Sequence, residues 1–275
     1  MTSGFHSPLG GAPPAEIPLA NPPLARVVAQ VQFTPITKVD DRNFVAGFQE
    51  KLRAKYPFFE EGGEQALLFE AGPGGQSLSQ RQRPVWRFFD AKRNWRISLT
   101  SEAISLDVKL YSSRDDFLER WDEILGVMAA EFEPPLVVRV GMRYIDRIRD
   151  ENFPRVDKLI KNDYLGPLFT KFQNQVLHML GETALSAEEG NLLLRLGKLP
   201  GGGTVDPNLL DAIQGESFII DIDVSKLGQR EFELESLKIT FRRFAERAYA
   251  MFRDIVTDEF DATYGGKNNV VVNAT

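Results

Sequence analysis

Trp95-Arg96-Ile97-Ser98-Leu99-Thr100-Ser101-Glu102-Ala103-Ile104-Ser105-Leu106-Asp107-Val108-Lys109-Leu110 is the stretch that decides the fold. Trp95, Ile97 and Leu99, then Ile104, Leu106, Val108 and Leu110, fall on one side. Arg96, Ser98, Thr100, Ser105, Asp107 and Lys109 fall on the other. Successive strand side chains point to opposite faces, so this period of two describes two antiparallel strands joined at Ser101-Glu102, with one apolar and one wet face. The cover for the apolar face follows directly. Ser112 or Ser113 can cap a helix, and Asp115 and Asp116 suit its first turn. Phe117, Trp121, Ile124, Leu125, Met128 and Phe132 then make one helical stripe before Pro134-Pro135. A sheet with helices packed on one face is an α+β arrangement.

Toward the N-terminus, Val27, Ala29, Val31 and Phe33 alternate as a strand, and Phe44, Phe48, Leu52 and Tyr56 line a helix that Pro57 ends. Brief strands are predicted at 66–70 and 85–89, punctuated by Gly72-Pro73-Gly74-Gly75. Toward the C-terminus, Pro134-Pro135-Leu136 repeats Pro22-Pro23-Leu24 ahead of a strand at 137–148. A short helix at 164–172 and strands at 176–186, 191–199 and 217–224 follow, with Gly201-Gly202-Gly203 opening a long loop. In the closing helix Leu237, Phe241, Phe244 and Phe252 match Phe117, Trp121, Ile124 and Phe132 at a constant offset.

Each half thus reads strand, helix, three or four antiparallel strands, helix, which is an internal duplication. The expected fold is α+β: two similar halves merging into a curved antiparallel sheet with helices on one face, as in the saddle of the TATA-binding protein. The expected division is a flexible Pro/Gly-rich arm at 1–23, a first half at 24–133, a second at 134–260 and a C-terminal tail at 261–275. Pro fixes φ and removes donors, so the arm should be extended and outside the core, either disordered or docked on a partner or sister subunit.

Composition narrows the function. With 43% hydrophobic residues, among them 20 Phe, the chain can build an aromatic-rich core. A formal charge of −6 argues against a phosphate-tracking surface as its main feature. The absence of cysteine removes disulfides, thiolate nucleophiles and Cys-ligated metals. The start MTSGFHSPLGG lacks a cationic, apolar export pattern, and no window is apolar for membrane-spanning length, so a cytoplasmic location is expected.

Candidate chemistry is sparse. His6 and His178 are the only histidines, too few for His-paired metal sites. Asp221 and Asp223 share one face of the 217–224 strand and are the only candidates for a cation, although a solvated strand face is the simpler reading. Gly190 to Gly197-Lys198 lacks the spacing and the Ser or Thr of a phosphate loop. The densest polar cluster is 139–148, where Arg139, Arg143 and Arg147 fall on one strand face with Gly141 between the first two. Such a row either pairs with acidic neighbours or binds an anion or acidic peptide. Arg139, Arg143, Tyr144 and Arg147, with Arg96 and Lys109 of the wet strand face, are the candidate binding residues. Lys238, Arg242, Arg243, Arg247 and Arg253 form a second basic row on the last helix.

NPPLARVVAQVQFTP (21–35), KYP (55–57), PVWRFFD (84–90) and RVGMRYIDRI (139–148) together resemble a sporadically distributed family of bacterial proteins of uncharacterised function. Its marks are a strand led by Pro-Pro-Leu and a mid-chain Arg-x-Gly-x-Arg-Tyr-x-Asn/Asp segment. The resemblance runs from Asn21 to the final helix. It brings no activity, cofactor or catalytic residue to carry onto Arg139, Gly141, Arg143 or Tyr144. Its patchy distribution is that of mobile or phage-defence-linked genes. The expected function is a non-enzymatic protein-binding or assembly component, in a bacterial defence or toxin–antitoxin-like system, binding another protein or itself. The alternatives are a nucleic-acid-binding module and a metal-dependent hydrolase at Asp221 and Asp223. No cofactor and no membrane partner are expected.

Overall fold

The computed structural model describes residues 7–72 and 75–266, the side chains of 64–82 excepted. His6, Pro73 and Gly74 of the expected turn, and tail residues 267–275 lie outside the described residues. In chain order the elements are β1 (Leu24–Phe33), α1 (Arg42–Leu52), β2 (Phe58–Gly72), β3 (Gly75–Phe89), β4 (Trp95–Leu99), β5 (Ala103–Val108) and α2 (Arg114–Phe132). Then come β6 (Leu136–Ile148), α3 (Val156–Leu159), β7 (Met179–Ala187), β8 (Gly190–Leu199), β9 (Ser217–Glu231), α4 (Leu234–Ile255) and α5 (Asp258–Thr263). The fold is α+β, as the alternation predicts. The described strands form one nine-stranded sheet, in the order β2-β3-β4-β5-β1-β6-β9-β8-β7. Outward from the β1–β6 pair, each half of the chain places its last strand beside its first.

Backbone contacts divide the chain into two units. A hairpin-bearing unit comprises Val28–Val140 and Leu227–Ile239, and an arm-bearing unit comprises Met1–Val27, Gly141–Lys226 and Thr240–Thr275. This division does not fall at 133/134, because β1, β6 and β9 each run through both units.

In the hairpin-bearing unit the deciding stretch does what its alternation requires. Trp95, Ile97, Leu99, Ile104, Leu106 and Val108 are buried, and so are Phe117, Trp121, Ile124, Leu125, Met128 and Phe132 of α2. Ser113 caps α2 by accepting from Asp116 N at 3.1 Å, and Glu133 ends it in the left-handed region at φ 44°. Phe48 of α1 stacks on Phe132 with ring centroids 5.3 Å apart. Where two brief strands are predicted, β2 and β3 are 15 residues each and pair antiparallel from Phe58↔Phe89 to Gly72↔Gly75. Gly72 and Gly75 are the last pair of this ladder, and the middles of these strands lack the apolar alternation by which a strand is read.

In the arm-bearing unit, Phe218, Ile220, Ile222 and Val224 of β9 and Phe241, Phe244, Ala248, Met251 and Ile255 of α4 are buried. The chain does not become a free tail at 261. Asp261 and Tyr264 are buried, Phe260 meets Phe252 edge-on at 5.4 Å, and Arg253 forks onto Asp261 at 2.6 and 2.8 Å. The predicted helix at 164–172 is replaced by 3₁₀ turns at Asn162–Tyr164, Gly166–Phe169 and Gln173–Gln175. Gly166 stands in the left-handed region at φ 51°, which interrupts an α-helix through this segment.

The arm lies along its own unit. Glu188 N donates to Leu9 O at 2.9 Å, Gly11 N to Glu188 Oε2 at 2.8 Å, Ile17 N to the Tyr249 hydroxyl at 2.7 Å and Asn21 N to Tyr264 O at 3.1 Å. Arg247, its side chain only 3% exposed, donates to Pro8 O at 3.0 Å and Gly11 O at 2.9 Å while forking onto Glu189. Its hydrogen bonds to Glu189 raise the pKa of this guanidinium against the opposing pull of burial.

Candidate binding surface

The arginine row of β6 is where the sequence places the site, and two of its members are engaged within the fold. Arg143 sends Nε and Nη2 to the two oxygens of Asp221, both at 2.8 Å, and Nη1 to Asp206 at 3.0 Å. Arg195 of β8 reaches Asp221 at 3.3 Å and Glu182 of β7 at 2.6 Å. Burial pulls the Arg143 pKa down, but Asp221 and then Asp206 overcome this and the net shift is upward. Arg147 donates to Ser217 Oγ at 3.2 Å and to the carbonyls of Asp211 at 2.6 Å and Gly203 at 2.9 Å.

Asp206, Asp211 and Gly203 come from the loop at 200–216, and the loop brings its own apolar contacts. Leu210 packs with Ile145, Leu199 and Ile219, and Ala25, Val205 and Leu209 lie against that cluster. The face expected to be wet is therefore covered here. Asp221, read as solvated, is 0% exposed and held by two guanidinium groups, which occupy the oxygens a cation would need. Asp223 is half-buried. Among the described residues no group of three His, Cys, Asp or Glu could hold a metal ion.

The remaining candidates lie apart from that cluster. Arg139 donates to Gln30 at 3.2 Å, Tyr144 touches the sulfur of Met142 at 3.8 Å, and Arg96 pairs with the buried Asp107 at 2.7 Å. Lys109 is exposed beyond the end of β5. His178 is exposed just ahead of β7. Gly190 opens β8 and Gly197 lies inside it, so neither joins a strand to a helix. Gly197 serves packing: a Cβ there would stand 1.9 Å from the Met179 carbonyl oxygen on β7.

The surface that a linear reading misses lies along β7. A groove of about 550 Å³ is lined by Met179, Thr183 and Leu185 of β7, Leu194 and Leu196 of β8 and Met251 of α4. Gly166 and Pro167 of the 3₁₀ turns line it too, as do Pro8 and Leu9 of the arm. Its polar lining includes Tyr164, whose hydroxyl bonds Asp254; burial and then that carboxylate push its pKa up, so the phenol stays neutral. Between the lining residues Pro167 and Met179 the chain exposes Phe169 (52%), Phe172 (58%) and Leu177 (80%), and Leu180 is 40% exposed. Half of the exposed large hydrophobics among the described residues thus fall in twelve consecutive positions. A second cleft, in the hairpin-bearing unit, is lined by charges that pair with one another, among them Lys55 with Glu123 at 2.5 Å and Arg120 with Asp116 at 2.9 Å.

No described helix is long and apolar enough to cross a membrane. Compared with known proteins, the chain matches no family model and no curated protein.

Proposed function

We propose that this chain is a non-enzymatic protein-binding component that receives its partner on the apolar groove and rim beside β7. One observation carries the reading: Phe169, Phe172, Leu177 and Leu180 are exposed together next to an apolar groove. A cluster of large exposed side chains beside a concave apolar surface is the signature of a contact surface. The charged residues that could have supported chemistry or anion binding instead hold the loop and the arm in place. Membership of a bacterial defence or toxin–antitoxin-like assembly rests on the patchy distribution of the family the sequence resembles.

The test is affinity capture from the native host with the wild-type chain and with Phe172→Asp/Leu177→Asp. These exposed positions can be changed without disturbing the core. A partner retained by the wild type and lost from the variant is expected. Capture of the same proteins by both would remove the reading.

A further inference from the structure

β7 ends the sheet order, and its residues 180–184 are exposed. Alternate backbone N–H and C=O groups of such a strand point away from β8, a template for another strand. Sheet edges are commonly guarded by Pro, Lys or inward charges, yet Met179–Ala187 contains neither Pro nor Lys. Its one charge, Glu182, is engaged by Arg195 at 2.6 Å. We infer that β7 is the seat of a second copy of this chain, paired antiparallel about a two-fold axis at Thr183. This rests on the reading of the β7 side as a protein-binding surface and names its partner.

The sequence of the strand selects the partner. With Thr183 on the axis, Thr183 faces Thr183, Glu182 faces Ala184, Gly181 faces Leu185, Leu180 faces Ser186 and Met179 faces Ala187. Every bulky side chain meets a small one, and the Thr–Thr pair is among the favourable cross-strand pairs. Moving the axis one residue back sets the two Glu182 carboxylates directly opposite each other, which like charges disfavour. The strand is therefore complementary to itself about Thr183. An isologous contact of this kind closes at the dimer and leaves no further copy of the edge to propagate.

The chain has no cysteine, so a single one reports the contact. Across an antiparallel pair, directly opposed Cα atoms are about 4.5–5.5 Å apart, within disulfide reach. Thr183→Cys is expected to cross-link to a dimer on mild oxidation, whereas Ala187→Cys, whose copies would lie far from the axis, is not. Sedimentation should give a dimer for the wild type and a monomer with unchanged circular dichroism for Thr183→Lys. An equimolar mixture of Thr183→Lys with Thr183→Glu should restore the dimer. A wild-type monomer, or a dimer indifferent to Thr183→Lys, overturns the inference. If that monomer still captures a host protein that Phe172→Asp/Leu177→Asp loses, self-pairing fails while the protein-binding reading survives.

Discussion

Asp146 shows how much a single burial changes the meaning of a residue. In sequence it sits among the arginines of 139–148, where a carboxylate reads as their partner. On β6 it lies on the opposite face from Arg143 and Arg147 and is 5% exposed. Burial pushes its pKa up to about 7, with no cation set against it to bring it down. The folded state therefore holds this proton more tightly than the unfolded chain, in which Asp titrates near 3.9. The resulting stability is complete below about pH 4 and is lost as pH rises through about 7. At about 1.4 kcal/mol per pH unit, the loss is at most about 4 kcal/mol. Asp146→Asn, a neutral near-isostere, should remove that slope: its melting temperature at pH 8 should exceed the wild type's by several degrees and nearly match it at pH 4. Parallel melting curves for the two proteins at both pH values would show that Asp146 titrates normally.

At the scale of elements, the loop at 200–216 is the part whose role depends most on distant residues. Arg147 grips it near both ends, at the Gly203 and Asp211 carbonyls, and Leu210 anchors it in the Ile145–Ile219 cluster. Arg147→Gln keeps a polar side chain but loses the fork, so two carbonyls lose their charged donors. The expected result is faster amide exchange confined to about residues 200–216, with β7 and β8 unchanged, measured by hydrogen exchange and mass spectrometry. Exchange that rises throughout the unit, or not at all, would mean that the fork does not control the loop. The same element shows what a sequence can and cannot disclose. Strand and helix periods are local, so β4, β5, α1, α2 and the buried stripe of α2 could be read from neighbouring residues. The bonds from Arg143 to Asp206 and Asp221, and from Arg147 to Gly203, join residues more than fifty positions apart and leave no periodic trace. A glycine run was legible as a loop, but that it folds over the arginine face was not. The apolar rim was hidden differently: Phe169 and Phe172 fall in the helix predicted at 164–172 and Leu177 in the strand predicted at 176–186, and only solvent exposure separates them from core residues.

For the whole molecule, charge separates protein binding from the nucleic-acid alternative. The formal balance is −6, and several of the cations that could form a local exception are engaged in ion pairs. On α4, Lys238 meets Glu235 at 2.8 Å, Arg247 forks onto Glu189, and Arg253 forks onto Asp261. On β6, Arg143 is taken by two aspartates. Binding phosphates would require these guanidinium groups to leave carboxylates buried and unpaired, at several kcal/mol each. Nucleic-acid affinity falls with salt by about 0.9 in log K per log salt for each phosphate neutralised on duplex DNA. Fluorescence anisotropy with labelled duplex DNA and single-stranded RNA should therefore show no saturable binding at physiological salt and no more than a shallow salt slope at low salt. Saturable binding with a steep slope would require several cations to face the phosphates at once, whereas Arg143, Arg247 and Arg253 are held by carboxylates.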